Sequence, residues 1–260
     1  MAKDHLLKKS LFMREKGVNI LHVKGAPYEM GYQHGYLLAD QISLMVNRTL
    51  LGTAAFIAAQ TDTTTKAAMD MLWRGQRMAE PFLPASCREE IQGIADGALD
   101  AGADVTREQI LLWNTNYDQW CLYVHPGYWR GCCDPGAGPA VGSGAPGGGC
   151  SSFCAWDEWA GGDGRLIFGK NEDNFNMPEQ LERRIMVVAD PEGGFGHAFM
   201  TYPGMIGLDG GVNERGLEMM TQLSSMRQES MAGCGIAVFT RLLLTHAASL
   251  DDAIEIFSAT

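Results

Sequence analysis

One cysteine near the middle of the chain directly follows a run of glycines. In the segment PGGGCSSF, residues 146–153, three glycines lead into Cys150, and the residues after it predict a strand. If the peptide bond between Gly149 and Cys150 is cut, Cys150 becomes a chain terminus whose new α-amino group has a pKa of roughly 8. Such an amine takes up a proton near neutral pH, so one residue can supply a thiol nucleophile and its base together.

The glycines before Cys150 also suit the cutting step itself. The thiol reaches the carbonyl carbon of Gly149 only if the backbone adopts an unusual conformation, and glycine does so at the least steric cost. The thioester formed in that step is then hydrolysed. The sequence therefore predicts a precursor that cleaves itself between Gly149 and Cys150.

The composition of the chain bounds its class and its partners. Of the 260 residues, 46% are hydrophobic and 20% are charged, which is enough apolar material for a packed core. The formal net charge of −11 argues against nucleic acid and anionic membrane surfaces as partners. The longest apolar run, 50–59, is too short to span a bilayer, and the N-terminus lacks the pattern of a signal peptide. We therefore expect a cytoplasmic protein that binds neither nucleic acid nor membrane.

The spacing of apolar residues changes at the glycine-rich segment. Before it, a strand over 17–25 is followed by helical spacing; after it, residues alternate as in strands, and a helix from about Ala237 closes the chain. Ser86 and Thr106 are predicted to cap two of the helices, and Gly102 to end one. The predicted helices are 26–51, 63–83, 84–102 and 104–123, and the predicted strands are 151–160, 165–173, 183–190, 197–204, 206–213 and 216–225.

This change divides the chain into three parts. Residues 1–130 form a strand and a mainly helical segment, 131–149 form a glycine-rich linker that ends at the cleavage site, and 150–260 form a strand-rich part that begins with the nucleophile. The sequence GGDG between the first two strands of the last part is typical of a turn, so it predicts a β-hairpin that carries Cys150.

Five segments stand in a definite order along the chain: LHVKGAPYEMGYQHGYLLADQI, GCSSF, DGRLIFGKNEDNF, GGVNERGLEMM and FTRLLLTHAASLDDAIEIF. They resemble, in that order, segments of the penicillin acyltransferase-like family of autoproteolytic cysteine N-terminal-nucleophile (Ntn) hydrolases. Each segment alone is weakly specific, whereas the ordered set is fairly specific. The resemblance implies an α+β fold, the four-layer αββα sandwich, with the nucleophile on the first residue of a strand.

The resemblance also implies a role for each site residue. Cys150 is the nucleophile and its freed amine is the base, while Asp173 orients that amine or a substrate group. Lys170 stands where an arginine is usual, and it offers a point charge on a flexible stem instead of a planar fork. Gln222, after the NERGL turn, is the candidate side-chain amide of the oxyanion hole, in a region where asparagine is common in the family.

The activity that the resemblance implies is that of an amidohydrolase or acyltransferase made as a zymogen. The Cys150 thiolate attacks the carbonyl of a small amide, an acyl-enzyme thioester forms, and water or an amine releases the acyl group. An acylated amino acid, a β-lactam side-chain amide and a lipid amide all fit the family, and no cofactor or metal is implied. Family members continue past the equivalent of Thr260, so we expect a short version of the fold, a fragment, or a protein that completes its sheets with another chain. Exposed strand edges in a short sandwich would favour a homo-oligomer.

Two other functions remain open from the residues. One is an uncleaved cysteine hydrolase with a histidine as the base. His34 is a candidate, although it more simply packs or hydrogen-bonds within the first helix, and the same structural interpretation applies to His197 and His246. The other is a non-catalytic relative that keeps the fold as a binding protein.

Several residues also have plain structural interpretations. Asp173 and Asn213 can serve as turn formers, and Lys170 as a solvated strand residue. The remaining cysteine pattern lacks the paired short spacings of a zinc site, and no phosphate-binding glycine motif is present. The cysteines considered for zinc are Cys132, Cys133, Cys150 and Cys154.

Overall fold

The fold was analysed in a computed structural model, which describes residues 4–119, 149–173, 182–222 and 230–259. These residues form an α+β structure, as the sequence predicts. Most of the predicted linker, and with it Cys132 and Cys133, lies outside the described residues, so the three-part division stays a prediction.

A six-stranded sheet joins residues from both ends of the chain. Its strands lie in the order β1-β2-β5-β6-β7-β8; β2 and β5 run parallel, and the other neighbours run antiparallel. The edge strand β1 was not predicted, whereas β2, β5 and β6 follow the predicted ranges closely. The strands are β1 Leu11–Glu15, β2 Val18–Gly25, β5 Ile185–Pro191, β6 His197–Thr201, β7 Gly210–Asn213 and β8 Glu218–Met220.

The predicted hairpin around Cys150 is confirmed as a separate two-stranded sheet. Strand β3, Gly149–Trp156, pairs antiparallel with β4, Leu166–Asp173, and a short 3-10 turn, Asp157–Ala160, leads into the connection. The three glycines of the GGDG turn all have positive φ angles, between 73° and 100°, which explains why glycine occupies these positions.

The helical part differs from the predicted one mainly at helix ends. The predicted helix over 26–51 is two helices, because the chain breaks at Leu38 with φ −120° and ψ 20°. Pro84 rather than Ser86 precedes the helix predicted over 84–102, so the predicted Ser86 cap is wrong. The helices are α1 Asp4–Leu7, α2 Pro27–Leu37, α3 Ala39–Thr61, α4 Thr65–Ala79, α5 Ala85–Asp100, α6 107–119, α7 Ile236–His246 and α8 Leu250–Ala259, with a 3-10 turn at Glu80–Phe82.

The predicted cap at Thr106 is confirmed as a capping box. The Thr106 hydroxyl accepts a hydrogen bond from the backbone N–H of Gln109 at 3.2 Å, and the Gln109 side chain accepts one from the backbone N–H of Thr106 at 2.9 Å. The predicted stop at Gly102 also fits, since α5 ends at Asp100 and Gly102 has a φ of +95°.

Helix α3 is long and apolar enough, by length and composition, to cross a membrane. Half of its apolar window is nevertheless buried inside the fold, where Ile42, Val46 and Ile57 belong to the hydrophobic core. A core helix of a folded domain has the same length and composition, and the packing of α3 accounts for its apolar residues in this way.

Burial alternates along the central strands of the six-stranded sheet. On β5 and β6, Ile185, Val187 and Phe199 are buried and belong to the same core as the helices, whereas their neighbours are only partly buried. Successive side chains of a strand point to opposite faces. The sheet therefore packs one face on the helices, and its other face is turned to the β3–β4 hairpin. The four-layer αββα arrangement stays a prediction.

Candidate active site

Cys150 is the second residue of β3 and lies directly opposite Glu172 of β4. Its thiol is free, and the residue is half-buried. Gly149, the residue before the predicted cleavage point, pairs with Asp173, the last residue of β4. The hairpin thus brings the predicted scissile bond and the predicted Asp173 side by side along the backbone.

Alternation along the hairpin puts four polar residues on one face. Cys150 and Ser152 of β3 are opposite Glu172 and Lys170 of β4, so all four share a face of the hairpin. Lys170 and Glu172 both contact residues of the six-stranded sheet or its flanking loops. The face that carries Cys150 is therefore the one turned to the six-stranded sheet.

Lys170 is held by that sheet at a fixed position. Its ammonium group donates hydrogen bonds to the backbone carbonyl of Asp209 and to the hydroxyl of Thr221, each at 3.0 Å, and lies 3.7 Å from the Asp209 carboxylate. The Lys170 side chain is only 11% exposed. This contradicts the interpretation of Lys170 as a solvated strand residue.

Burial and charged neighbours act on Lys170 in opposite directions. Burial lowers the pKa of the Lys170 ammonium, while the negative charges available on Cys150 and Glu172 act in the opposite direction and Arg184 acts with the burial. The Lys170 ammonium therefore lies in a largely buried setting among neighbouring charges of both signs.

Arg184, near the start of β5, completes a cluster of four charged side chains. Its guanidinium lies 2.8 Å from the Glu172 carboxylate and also binds the Asp209 carboxylate. The ring of Tyr202 lies below the guanidinium, 5.5 Å from its centre. Two cations, Lys170 and Arg184, thus face two carboxylates, and the cluster ties the hairpin to the six-stranded sheet.

Gln222 lies just after β8 and reaches the same hairpin. Its side-chain amide donates a hydrogen bond to the hydroxyl of Ser152, which is two residues beyond Cys150 on the same face. The structure therefore brings Gln222 to the strand that carries Cys150.

The histidines weighed as alternative bases are bonded elsewhere. His34 is buried, and its Nε2 accepts a hydrogen bond from the backbone N–H of Gly204 at 2.9 Å, so its partner lies outside its own helix. His197 lies against the carbonyl of Phe195 at 2.8 Å and the guanidinium of Arg241. Burial lowers the pKa of each of these two histidines to about 3. Among the described residues, the hydrogen-bond partners of His34 and His197 are therefore Gly204, Phe195 and Arg241 rather than Cys150.

A cavity of about 310 Å³ opens next to this face, between β4 and the strands β5–β8. Lys170 and Glu172 line it from the hairpin, and Arg184 and Asp209 from the other side. The rest of the lining is apolar or glycine: Phe168, Gly169, Met186, Ala198, Phe199, Met200, Gly210, Gly211, Val212 and Met220.

Sequence reasoning missed Glu172, Arg184, Asp209 and Thr221. Glu172 could have been predicted, because it is two residues from Lys170 on a predicted strand and therefore lies on the same face of that strand. The other three meet Lys170 only through the packing of two sheets, and no local pattern signals that contact.

Residues 159–260 match the family model described as acyl-coenzyme A:6-aminopenicillanic acid acyl-transferase. The match includes Lys170, Asp173 and Gln222, and it begins nine residues after Cys150. The chain is also 29% identical, over 245 residues, to an uncharacterised protein of Archaeoglobus fulgidus. That similarity covers 92% of this chain and 38% of the relative, so the chain spans less than half of the relative's length.

Proposed function

We propose that the protein transfers or hydrolyses acyl groups through the Cys150 thiol, because residues 159–260 match the model of the acyl-coenzyme A:6-aminopenicillanic acid acyl-transferase family. The substrate is a small amide, and the acyl group passes through a thioester on Cys150. The observation that carries this proposal is the buried Lys170 ammonium on the same hairpin face as the half-buried thiol.

The first proposed reaction is the cleavage of the chain itself. The Cys150 sulfur attacks the carbonyl carbon of Gly149, and the carbon–nitrogen bond breaks as the nitrogen takes up a proton. The resulting thioester is hydrolysed by water, which leaves a Gly149 carboxylate, a free thiol and a new α-amino group on Cys150. Support comes from the glycine before Cys150 and from the half-buried position of the thiol next to charged partners.

The second proposed reaction is turnover of an external amide. The freed amine accepts the thiol proton, and the thiolate attacks the substrate carbonyl to form a tetrahedral intermediate. The carbon–nitrogen bond then breaks and the leaving amine takes up that proton. Water hydrolyses the thioester to a carboxylic acid, or a second amine takes the acyl group and forms a new amide.

Other residues of the site have supporting roles in this proposal. Lys170 stabilises the thiolate, since a cation beside a thiol favours its reactive form. The Gln222 amide, which donates to Ser152 in the structure, turns to the oxyanion when a substrate is bound. Asp173, beside Gly149 in the register, orients the new α-amino group.

The proposal is tested by trapping the acyl-enzyme. The protein is mixed with acyl p-nitroanilides, p-nitroaniline release is followed, and the acid-quenched protein is digested and analysed by mass spectrometry. We expect release of p-nitroaniline and an acyl group on the peptide that begins at Cys150. Cys150→Ala should abolish both signals.

Cys154→Ala is the matched control, because Cys154 is a free and exposed thiol on the same strand. This variant should keep both signals. An acyl group on Cys154 instead of Cys150, or turnover that survives Cys150→Ala, would overturn the proposed nucleophile. The absence of both signals with every amide would favour the non-catalytic binding protein.

A further inference from the structure

We propose that the cavity between β4 and strands β5–β8 binds an uncharged apolar group, and that this group is the acyl part of the amide. The second half of this inference rests on the proposed function, whereas the binding of an apolar group does not. The floor of the cavity, its charges, its size and its position relative to Cys150 all favour such a ligand.

The floor of the cavity is a row of methionines across four strands. Met186 of β5 is opposite Met200 of β6, which is opposite Gly210 of β7, which in turn is opposite Met220 of β8. Directly opposed residues share a face of the sheet, so the three methionines lie on one face, with Gly210 between Met200 and Met220. Methionine side chains are flexible and polarisable, and such a surface adapts to apolar groups of different shapes.

Glycine keeps this row open in its middle. Gly210 has a φ of +139°, which L-residues with side chains rarely adopt, and a Cβ there would collide with the backbone of Met219 and Met220. The next β6–β7 pair on the same face, Ala198 and Val212, is also small. The backbone therefore requires glycine at position 210, and small side chains beside it leave free volume over the sheet.

The charged groups of the lining are already paired with one another. Lys170 lies beside Asp209, and Arg184 binds both Glu172 and Asp209, so the four formal charges sum to zero. A carboxylate or an ammonium ion entering the cavity would have to break one of these pairs or remain without a partner, which is costly in a partly buried site. An uncharged ligand meets no such penalty.

The size and position of the cavity fit one part of a substrate. Its volume of about 310 Å³ is at the lower end of the range of about 300–1,000 Å³ for ligand pockets. The cavity therefore has room for one group of a substrate rather than for an entire large substrate molecule. Lys170 and Glu172 line the cavity and share a hairpin face with Cys150. An amide carbonyl near the thiol can therefore extend its acyl group over the methionine row.

Binding is tested without turnover in the Cys150→Ala variant. The protein is labelled with ¹³C-methyl methionine, and hexanamide is titrated while the methyl signals are followed by NMR; single Met→Leu variants assign the signals. We expect the methyl signals of Met186, Met200 and Met220 to shift along one saturation curve. Those of Met13 and Met78, which are exposed on β1 and α4, should stay in place.

The same titration with hexanoate and with hexylamine tests the charge argument. We expect each charged analogue to need at least tenfold higher concentration than hexanamide for an equal shift. Stronger binding of either ion would contradict the inferred neutrality of the ligand. Cavity methyl groups that fail to respond to hexanamide, or a uniform shift of all methionines, would overturn the binding site.

Kinetics of acyl p-nitroanilides then test the link to the reaction. Ala198→Phe fills the cavity, so the ratio of kcat/KM for the hexanoyl substrate to kcat/KM for the acetyl substrate should fall roughly tenfold or more. Met200→Ala enlarges the cavity, so kcat/KM for substrates with acyl chains longer than hexanoyl should rise relative to that for the acetyl substrate. Met78→Ala, a matched exposed substitution on α4, should leave the ratio unchanged.

These measurements separate the two proposals. Shifts of the methyl signals of Met186, Met200 and Met220 without turnover of any substrate would support the apolar site and contradict the proposed enzymatic activity. Turnover in which both cavity variants keep the wild-type ratio of kcat/KM for hexanoyl over acetyl substrates would support the enzyme and overturn the acyl site.

Discussion

At the scale of single residues, the site depends on how Lys170 is held. Two hydrogen bonds and the Asp209 carboxylate fix its ammonium, although a lysine stem is flexible and makes no planar fork. Its pKa is lowered by burial, so the ammonium is lost at a lower pH than that of an exposed lysine. The positive charge that Lys170 contributes to the proposed mechanism is therefore lost as the pH rises through its lowered pKa.

The Lys170→Met variant should make Cys150 react more slowly. Methionine keeps most of the stem but removes the cation, which disfavours the thiolate, the form that is alkylated. We expect iodoacetamide to label Cys150 roughly threefold to tenfold more slowly at pH 7, measured by peptide mass spectrometry with Cys154 as the internal reference.

Lys24→Met is the matched control for that experiment, because Lys24 lies in an exposed ion pair with Asp190. It should leave the labelling rate of Cys150 unchanged, and Lys170→Arg should restore much of the rate. Equal labelling of Cys150 in the wild type and in Lys170→Met would show that Lys170 plays no part in thiol reactivity.

At the scale of elements, the helices that cover the sheet are joined by a close contact between α2 and α5. Gly31 and Gly35 of α2 face Gly93 and Gly97 of α5, and a Cβ on any of the four would overlap the backbone of the opposite helix. The hydroxyl groups of Tyr28 and Tyr32 on α2 donate to Asp96 and Asp100 of α5, at 2.7 and 2.9 Å. Glycine is needed here for close approach, and the helices keep their mutual position through it.

The Gly35→Ala variant should be less stable than the wild type. The added methyl group meets the carbonyl of Ile94, a backbone atom that cannot turn aside, and overpacking of this kind costs about 1–3 kcal/mol. Urea denaturation measures the change. Gly233→Ala, where nothing lies within 4 Å of the added carbon, is the control and should have little effect. A stable Gly35→Ala protein would mean that the two helices are free to move apart.

The elements show what local sequence patterns can predict. The β3–β4 hairpin is predictable because alternation and the GGDG turn are contiguous in the chain. Edge strand β1 is not, because its three apolar residues are followed by two charged ones without alternation, and the strand is short and mostly exposed. The contact of Arg184 and Asp209 with the hairpin is also beyond local patterns, since it requires the packing of one sheet on another.

At the scale of the whole molecule, buried charges join the two ends of the chain. Arg241 of α7 binds Glu90 of α5 through two hydrogen bonds of 3.0 Å, and its guanidinium also contacts His197 of β6. Burial raises the pKa of Glu90, although Arg241 acts in the opposite direction.

Together with the β2–β5 pairing, these contacts should hold the two parts of the chain together after the proposed cleavage at Cys150. The two fragments should therefore co-elute in native size-exclusion chromatography and separate only when the protein is denatured.

Stability should fall in acid partly because of His34. Its pKa is lowered from 6.5 to about 3 by burial and by Arg241, so the unfolded chain takes up its proton at a higher pH than the folded protein does. The stability contributed by neutral His34 is complete above pH 6.5 and is lost as the pH falls toward 3.

The His34→Gln variant isolates that contribution, since glutamine can still accept the bond from Gly204. Between pH 7.5 and 5, its free energy of unfolding should fall by about 2 kcal/mol less than that of the wild type. Urea denaturation at both pH values measures this, with His22→Gln on β2 as the control. An identical pH dependence in the wild type and in His34→Gln would contradict the assignment.

The most direct test of the central claim is the intact mass of the purified protein under denaturing conditions, beside that of its Cys150→Ala variant. We predict two fragments that meet at Gly149 and Cys150, the second beginning with a free α-amino group on Cys150, and a single uncut chain in the variant. One uncut chain in both proteins would remove the terminal amine on which the mechanism depends and would contradict the account.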